Sequence, residues 1–360
     1  MGQSERTGKT ELISLIIKLA CMKALCVQSP NKMVIEERPM PSIGSPSEVL
    51  IKVKAGGICG SDVHIYHGTS SVATYPRVIG HEIVGEITAT GTAVTEFSIG
   101  DHVIMDPVIS CGTCYQCRIG RSNVCGKLQV RSVHVDGGYQ EYIVMPQQNI
   151  YHIPAELSWE EAIMIEPFTI AEQVCSRAEI TKEDIVFIMG AGPVGLSILK
   201  MVKLYGATCY ISDVMDYKLA AAKEYGADQI INAKAVDTKE TIMRLTEGNG
   251  ATVVIDGACT TKSFEQALSY VCAAGRVITL GFGKDPSAIN QLSITAREID
   301  VRGSRLHNKK FPAVIEYFRS GKLQVKDMIT HRFNFMEIND ALAVIENPAI
   351  ENGKVVLLFD

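Results

Sequence analysis

The chain has 360 residues, 46% of them apolar and 21% charged; at roughly 150 residues per domain this predicts about two domains with substantial cores and excludes a disordered or fibrous chain. Thirty-five basic against forty acidic side chains leave a net charge of −5, so the protein lacks the positive field that nucleic acid or an anionic membrane attracts, and an anionic ligand must be met locally. Eleven cysteines do not pair off into disulfides; those isolated in apolar surroundings read as small, buried, reduced side chains, which suits the cytoplasm.

In chain order, residues 12–20 (LISLIIKLA) form an apolar run broken by Lys18. The run is shorter than the about 20 residues of a membrane span and lacks the clean basic flank of a signal peptide. The strand-like opening of the first domain begins at Met22, so residues 1–21 are expected to be either a poorly ordered extension or an artefact of the chosen start codon. From there to about Pro154, alternating runs such as VLIKVKA (49–55) and EIVGEITAT (82–90), punctuated by Gly and Pro, predict a compact β-rich domain. The texture then changes to buried-strand runs, DIVFIM (184–189), ATCYISD (207–213), ATVVIDGA (251–258) and RVITLGF (276–282), separated by amphipathic stretches. Strand then helix, repeated, predicts a doubly wound parallel sheet, and Gly206 and Gly226 fall where helix caps belong. Residues 309–321 predict a further helix with Pro312 in its first turn, and KVVLLFD a closing strand. The expected fold class is α/β.

Gly190-Ala191-Gly192-Pro193-Val194-Gly195 follows the strand at 184–189 and opens a helix running to about Tyr205. In that context Gly190 permits the tight turn, Gly192 the approach of a pyrophosphate, and Gly195 close packing of helix on strand. The helix N-terminus offers amide donors and a positive dipole end to phosphates. Asp213 ends the next strand, where a carboxylate accepts hydrogen bonds from an adenosine ribose and repels a 2′-phosphate, so NAD is favoured over NADP. Lys218 lies close by, positioned to meet a phosphate or to cover the adenine.

Cys111, Cys114, Cys117 and Cys125 have the spacing C-x2-C-x2-C-x7-C. Four thiolates suit the tetrahedral shell of a closed, structural Zn²⁺; an iron–sulfur cluster would use the same ligands. A second set is dispersed: Cys59 in GICGSD, His81 and Glu82 in GHE, and Glu166 in IEP. Singly, each has an ordinary structural explanation. Together they offer sulfur, nitrogen and carboxylate oxygen, the donor set of a catalytic Zn²⁺ that keeps a position open.

The GHE and CGSD segments, the four-cysteine lobe and GAGPVG, in this order over residues 22–360, resemble the zinc-dependent medium-chain dehydrogenase/reductase family, and within it the sorbitol and threonine dehydrogenase branch. The resemblance implies a GroES-like catalytic domain, residues 22–163 and 305–360, interrupted by a Rossmann NAD-binding domain, residues 164–304. It further implies a catalytic zinc surrounded by Cys59, His81 and Glu82, with Glu166 as a fourth or water-linked ligand, and a structural zinc on the four cysteines. A proton relay from Ser61 to His64 is implied as well. Many polyol dehydrogenases of this branch carry His where this chain has Gln173, which argues against polyol specificity.

The segments at 106–142, 164–171 and 303–317 are most similar to the RspB/L-galactonate oxidoreductase group, which implies oxidation at carbon 5 of a hexonate such as L-gulonate or L-galactonate. The alternatives are a polyol or L-threonine dehydrogenase, or a protein that retains NAD and zinc without turnover. An aldonate carboxylate needs cationic or multidonor partners, and Arg305, Asn308 and His134 are the candidates. The strand region at 297–304 lies near the expected sheet edge, where relatives pair into homodimers or homotetramers.

Overall fold

In strand Glu48–Gly57 the residues Val49, Ile51, Val53 and Ala55 are buried while Leu50, Lys52 and Lys54 alternate with them at partly open positions, the period of two that a half-covered strand requires. In the computed structural model, which describes residues 21–359, this strand sits inside a seven-stranded sheet. The order is Ile150–His152, His102–Met105, Glu82–Thr90, Glu48–Gly57, Lys354–Leu358 and Ile329–Asn334, with Tyr142–Pro146 also paired to Glu48–Gly57. Pairing is antiparallel except between Ile329–Asn334 and Lys354–Leu358. A three-stranded sheet, Lys32–Pro39, Cys21–Ser29 and Arg77–Val78, and a short ladder of Val108–Ile109 with Gln129–Val130 complete the β structure. These elements belong to one compact unit, the described residues up to Glu166 and those from Val325 onward. Its core gathers Leu25, Ile51, Ile83, Tyr139, Ile143 and Leu357.

The second unit, Pro167–Gln324, is built differently. Strand Ile185–Met189 is buried along nearly its whole length, as expected when helices cover both faces of a parallel sheet. Six parallel strands run in the order Gln229–Asn232, Thr208–Asp213, Ile185–Met189, Ala251–Asp256, Val271–Thr279 and Asp300–Gly303. The first strand in sequence lies in the middle, so the chain reverses its winding beside Ile185–Met189, where open α/β sheets bind ligands. Gly206 and Gly226 adopt φ of 80° and 95° just past helices Pro193–Leu204 and Asp216–Glu224, a conformation in which glycine avoids the Cβ penalty.

The extension expected over residues 1–21 lies outside the described residues except for Cys21, which already opens strand Cys21–Ser29. Among the described residues no helix is long and apolar enough to cross a membrane. The chain leaves the first unit after Glu166 and re-enters it at Val325, against expected boundaries at 163 and 305. The reason lies in helix Phe311–Arg319, whose apolar face, Phe311, Val314, Ile315 and Phe318, is buried. Phe318 meets Phe168 edge-on at 5.8 Å and Lys310 lies 3.5 Å from Glu172, so residues 305–324 pack with the second unit.

Candidate metal and dinucleotide sites

Cys59 is the N-cap of the short helix Gly60–Tyr66, and its own N–H donates to Asp62 Oδ2 at 3.0 Å. His81 and Glu82 enter strand Glu82–Thr90 directly after Gly80, which has φ of 92° and whose absent Cβ would lie 2.1 Å from the Tyr139 ring. A side chain at residue 80 would thus be excluded on both counts. The fold brings one ligand atom each from Cys59, His81 and Glu82 within 4.8 Å of one another. Glu166, in the first turn of helix Ile165–Ala178, is buried but does not join that close group.

Four residues that motif reading left without a role surround the trio. Asp62, 1% exposed, accepts from the N–H of Cys59 and, at 3.3 Å, of Gly80, and lies 3.5 Å from His81 Nδ1. Burial alone would raise its carboxyl; His81 and the two N–H donors outweigh burial and hold it below the ordinary range. Burial would likewise depress His81, but Asp62 prevails and lifts the imidazole well above its usual value. Tyr139 donates to the Gly57 carbonyl at 2.8 Å and lies 3.3 Å from Asp62 Oδ2; burial and the nearby carboxylates keep its phenol protonated. Ser132 Oγ lies 3.2 Å from His81 Nδ1.

Lys354 is the fourth. It is 4% exposed, pairs with Glu82 and donates to the Ile58 carbonyl at 3.1 Å. Burial pulls this ammonium down, yet Glu82, Cys59 and Glu166 together push it above its ordinary value, so it stays charged. The pair fits because residue 57 has no side chain: a Cβ there would meet Glu82 Oε2 at 2.1 Å and Lys354 Cε at 2.8 Å. The sequence signal was a lysine opening the apolar run 354–359, which reads equally well as a strand-edge charge.

Sulfur, imidazole nitrogen and carboxylate oxygen at this spacing fit Zn²⁺ with a coordination position to spare. The four cysteines fit it differently. Cys114 Sγ lies 3.5 Å from Cys117 Sγ and 3.7 Å from Cys125 Sγ, and Cys125 Sγ lies 3.4 Å from Cys111 Sγ. A tetrahedron with Zn–S of about 2.3 Å has S···S edges of about 3.8 Å. Backbone N–H groups of Cys111, Cys114 and Lys127 point at sulfurs at 3.2–3.4 Å. N–H and hydroxyl donors bring the Cys111 thiol down to about 5, whereas burial and the neighbouring sulfurs push Cys117 up to about 11. Four thiolates so close repel one another, and a divalent cation relieves this.

In the second unit, Gly190 turns the chain with φ of 98°, and Gly192 caps helix Pro193–Leu204 with Pro193 in its first turn. A Cβ on Gly195 would sit 2.0 Å from the Gly190 carbonyl oxygen, whereas around Gly192 nothing lies within 4 Å; the one glycine is needed for packing, the other leaves open backbone. Pro193 and Val194 are exposed there. Asp213 accepts from the N–H of Ala191 at 2.8 Å and from those of Val214 and Met215 at 2.7 and 3.0 Å, which ties the end of the second strand to the glycine turn. Lys218 is half-buried, its ammonium 5.8 Å from the Tyr217 ring.

The remaining candidates are scattered. Ser61 is half-buried, and His64, three residues on in the same helix, is exposed with Nδ1 2.8 Å from Thr69 Oγ1. His134 Nδ1 accepts from the Val130 N–H at 3.0 Å, so that nitrogen locks a turn. The Arg305 guanidinium lies 4.7 Å over the Phe282 ring. The Asn308 N–H donates to Oε1 of the buried Gln173 at 3.2 Å, giving the glutamine a local structural partner.

Residues 45–155 match the alcohol dehydrogenase GroES-like domain and residues 193–320 the zinc-binding dehydrogenase family. A solved structure of RspB from Escherichia coli CFT073, complexed with NADH, is similar with a TM-score of 0.90 and 41% identity, covering 94% of this chain and 100% of that one. Sorbitol dehydrogenase of Bacillus subtilis is 35% identical over 89% of this chain and 92% of its own length. L-idonate 5-dehydrogenase of Vitis vinifera is 34% identical over 89% and 90%. With the donor sets and the glycine turn in place, these matches make the chain a member of the zinc-type medium-chain dehydrogenase family, oxidoreductases that bind zinc and a nicotinamide dinucleotide.

Proposed function

We propose that the protein oxidises a secondary alcohol of a sugar acid, a hexonate such as L-gulonate or L-galactonate at carbon 5, to the keto acid, with NAD as acceptor. The observation that carries the reaction is the Cys59, His81 and Glu82 trio, held within 4.8 Å and backed by a buried lysine. In this reading the trio holds a catalytic Zn²⁺, with Glu166 as a fourth or water-linked ligand, and the four cysteines hold a structural Zn²⁺. When bound, the metal supplies Lewis acidity at the alcohol oxygen and the nicotinamide supplies the hydride acceptor.

The chain's own groups do the rest. Ser61 Oγ takes the hydroxyl proton, and His64, at the exposed end of the same helix, delivers it to solvent. Gly192 and the helix N-terminus at Pro193–Val194 hold the pyrophosphate, Asp213 the ribose, and Lys218 covers the adenine side. A carboxylate at the ribose disfavours a 2′-phosphate, which supports NAD over NADP. Arg305, ordered over an aromatic ring, is the carboxylate clamp, with Asn308 and His134 as further polar contacts. Gln173 in place of the histidine of many polyol dehydrogenases supports a sugar acid over a neutral polyol.

The cysteines, free throughout, support a reducing, cytoplasmic setting. One edge strand of the parallel sheet, Asp300–Gly303, with Val301 exposed, supports self-association through that edge into a homodimer or homotetramer. NAD reduction across L-gulonate, L-galactonate, L-idonate, sorbitol, xylitol and L-threonine tests the substrate. Highest kcat/KM on a hexonate is expected; preference for a neutral polyol or for threonine overturns that choice, and no turnover on any alcohol by zinc-loaded protein overturns the catalytic reading.

A further inference from the structure

We infer that Ser132 is a positioning residue for the metal centre, acting through His81; this rests on the reading of His81 as a ligand. Ser132 is 0% exposed and has φ of 75°. Left-handed backbone costs a residue with a side chain about 1–2 kcal/mol, a cost that glycine avoids. What serine adds over glycine here is a hydroxyl, and that hydroxyl lies 3.2 Å from His81 Nδ1, nearer than Asp62 Oδ1 at 3.5 Å.

The backbone around Ser132 is fixed from several sides. Its N–H donates to the Val135 carbonyl at 2.8 Å, the Arg131 N–H to that of Pro107 at 3.0 Å, and the His134 N–H to that of Val130 at 2.9 Å. The turn follows directly on strand Gln129–Val130, which pairs with Val108–Ile109 and closes the loop that carries the four cysteines. Gly137 lets it approach: a Cβ on that glycine would lie 2.4 Å from the Gly80 carbonyl oxygen and 2.8 Å from Ser132 Cβ. The chain thus packs a strained, buried hydroxyl against the residue that follows Gly80.

A neutral imidazole carries one N–H. An acceptor at Nδ1 fixes the proton there, orients the ring and leaves the Nε2 lone pair for a metal. Ser132 does this as a neutral group, so it directs the ring without adding another charge to a site that already holds Cys59, Glu82 and Asp62.

The test uses the full chain loaded with zinc, and in parallel with cobalt, for wild type, Ser132→Ala, Ser132→Gly and His81→Ala. Both Ser132 variants should lose one of two metals to EDTA about 10–100-fold faster than wild type, as for other outer-shell partners of a metal-bound histidine, while the second metal leaves at the wild-type rate. The visible cobalt bands of the labile centre should shift in both. Ser132→Gly, free of the backbone strain, should match or exceed wild-type thermal stability and still show the labile metal. Wild-type metal retention and cobalt bands in Ser132→Gly would overturn the inference, whatever Ser132→Ala does. If His81→Ala keeps both metals, the ligand assignment has failed; if it loses one while the Ser132 variants lose none, only the inference has.

Discussion

The four cysteines come from a single loop, Cys111 to Cys125, and little besides backbone N–H groups reaches their sulfurs. Cys59, His81 and Glu82 come instead from a helix N-terminus and the start of a strand, and Asp62, Ser132, Tyr139 and Lys354 are packed behind them. The difference teaches where each site finds its order. In the proposed reading the four sulfurs, all within 4.8 Å of one another, take a cation that holds them together, so the lobe and its metal fold as one. The trio has its charges paired and its ring oriented by protein groups, which leaves a preorganised position for an exchangeable ligand.

Four substitutions probe that contrast. Cys114→Ser removes a sulfur from the proposed structural zinc centre. It should cost several kcal/mol of the about 10–16 that a structural zinc supplies in small domains, seen as an earlier thermal transition with one metal lost. A transition at the wild-type temperature would mean the lobe orders itself without metal. Lys354→Met leaves Glu82 buried without its counter-charge, and removing one partner of a buried pair costs about 3–5 kcal/mol. Urea denaturation of metal-free protein should show that loss, and zinc should reduce it by supplying positive charge beside the carboxylate. Equal losses with and without zinc would place Glu82 away from the metal.

The smallest effect compares two glycines. Gly57→Ala drives a methyl into Glu82 and Lys354 and should cost about 1–3 kcal/mol by overpacking, with a labile metal. Gly112→Ala, at φ of 71° with nothing within 4 Å, should cost about 1–2 kcal/mol of backbone strain and leave the metal of the trio undisturbed. If the two substitutions behave alike, packing behind the trio is not what orders it.

The same contrast governs what could be read from the sequence. The cysteine lobe and the GAGPVG turn were legible because their parts are contiguous and their spacing is the chemistry. Strand Glu48–Gly57 was legible from its alternation, and Ile185–Met189 from its unbroken apolar run. Lys354 was not, since a lysine at the start of an apolar strand says nothing about a carboxylate far earlier in the chain. Ser132 was hidden in the same way: its role depends on a left-handed turn that no residue type announces. The apolar face of Phe311–Arg319 announced burial but not its partner, which is why the return of the chain was expected at 305 and occurs at Val325.

The most direct test of the central claim is a stepwise chelation of the zinc-loaded enzyme, following metal released, NAD reduction and thermal midpoint in the same sample. Loss of the first metal equivalent should abolish turnover with little change in the midpoint, and loss of the second should lower the midpoint steeply. Turnover that survives the first equivalent, or a midpoint that falls with it, would contradict the division into a preorganised catalytic centre and a metal-folded lobe.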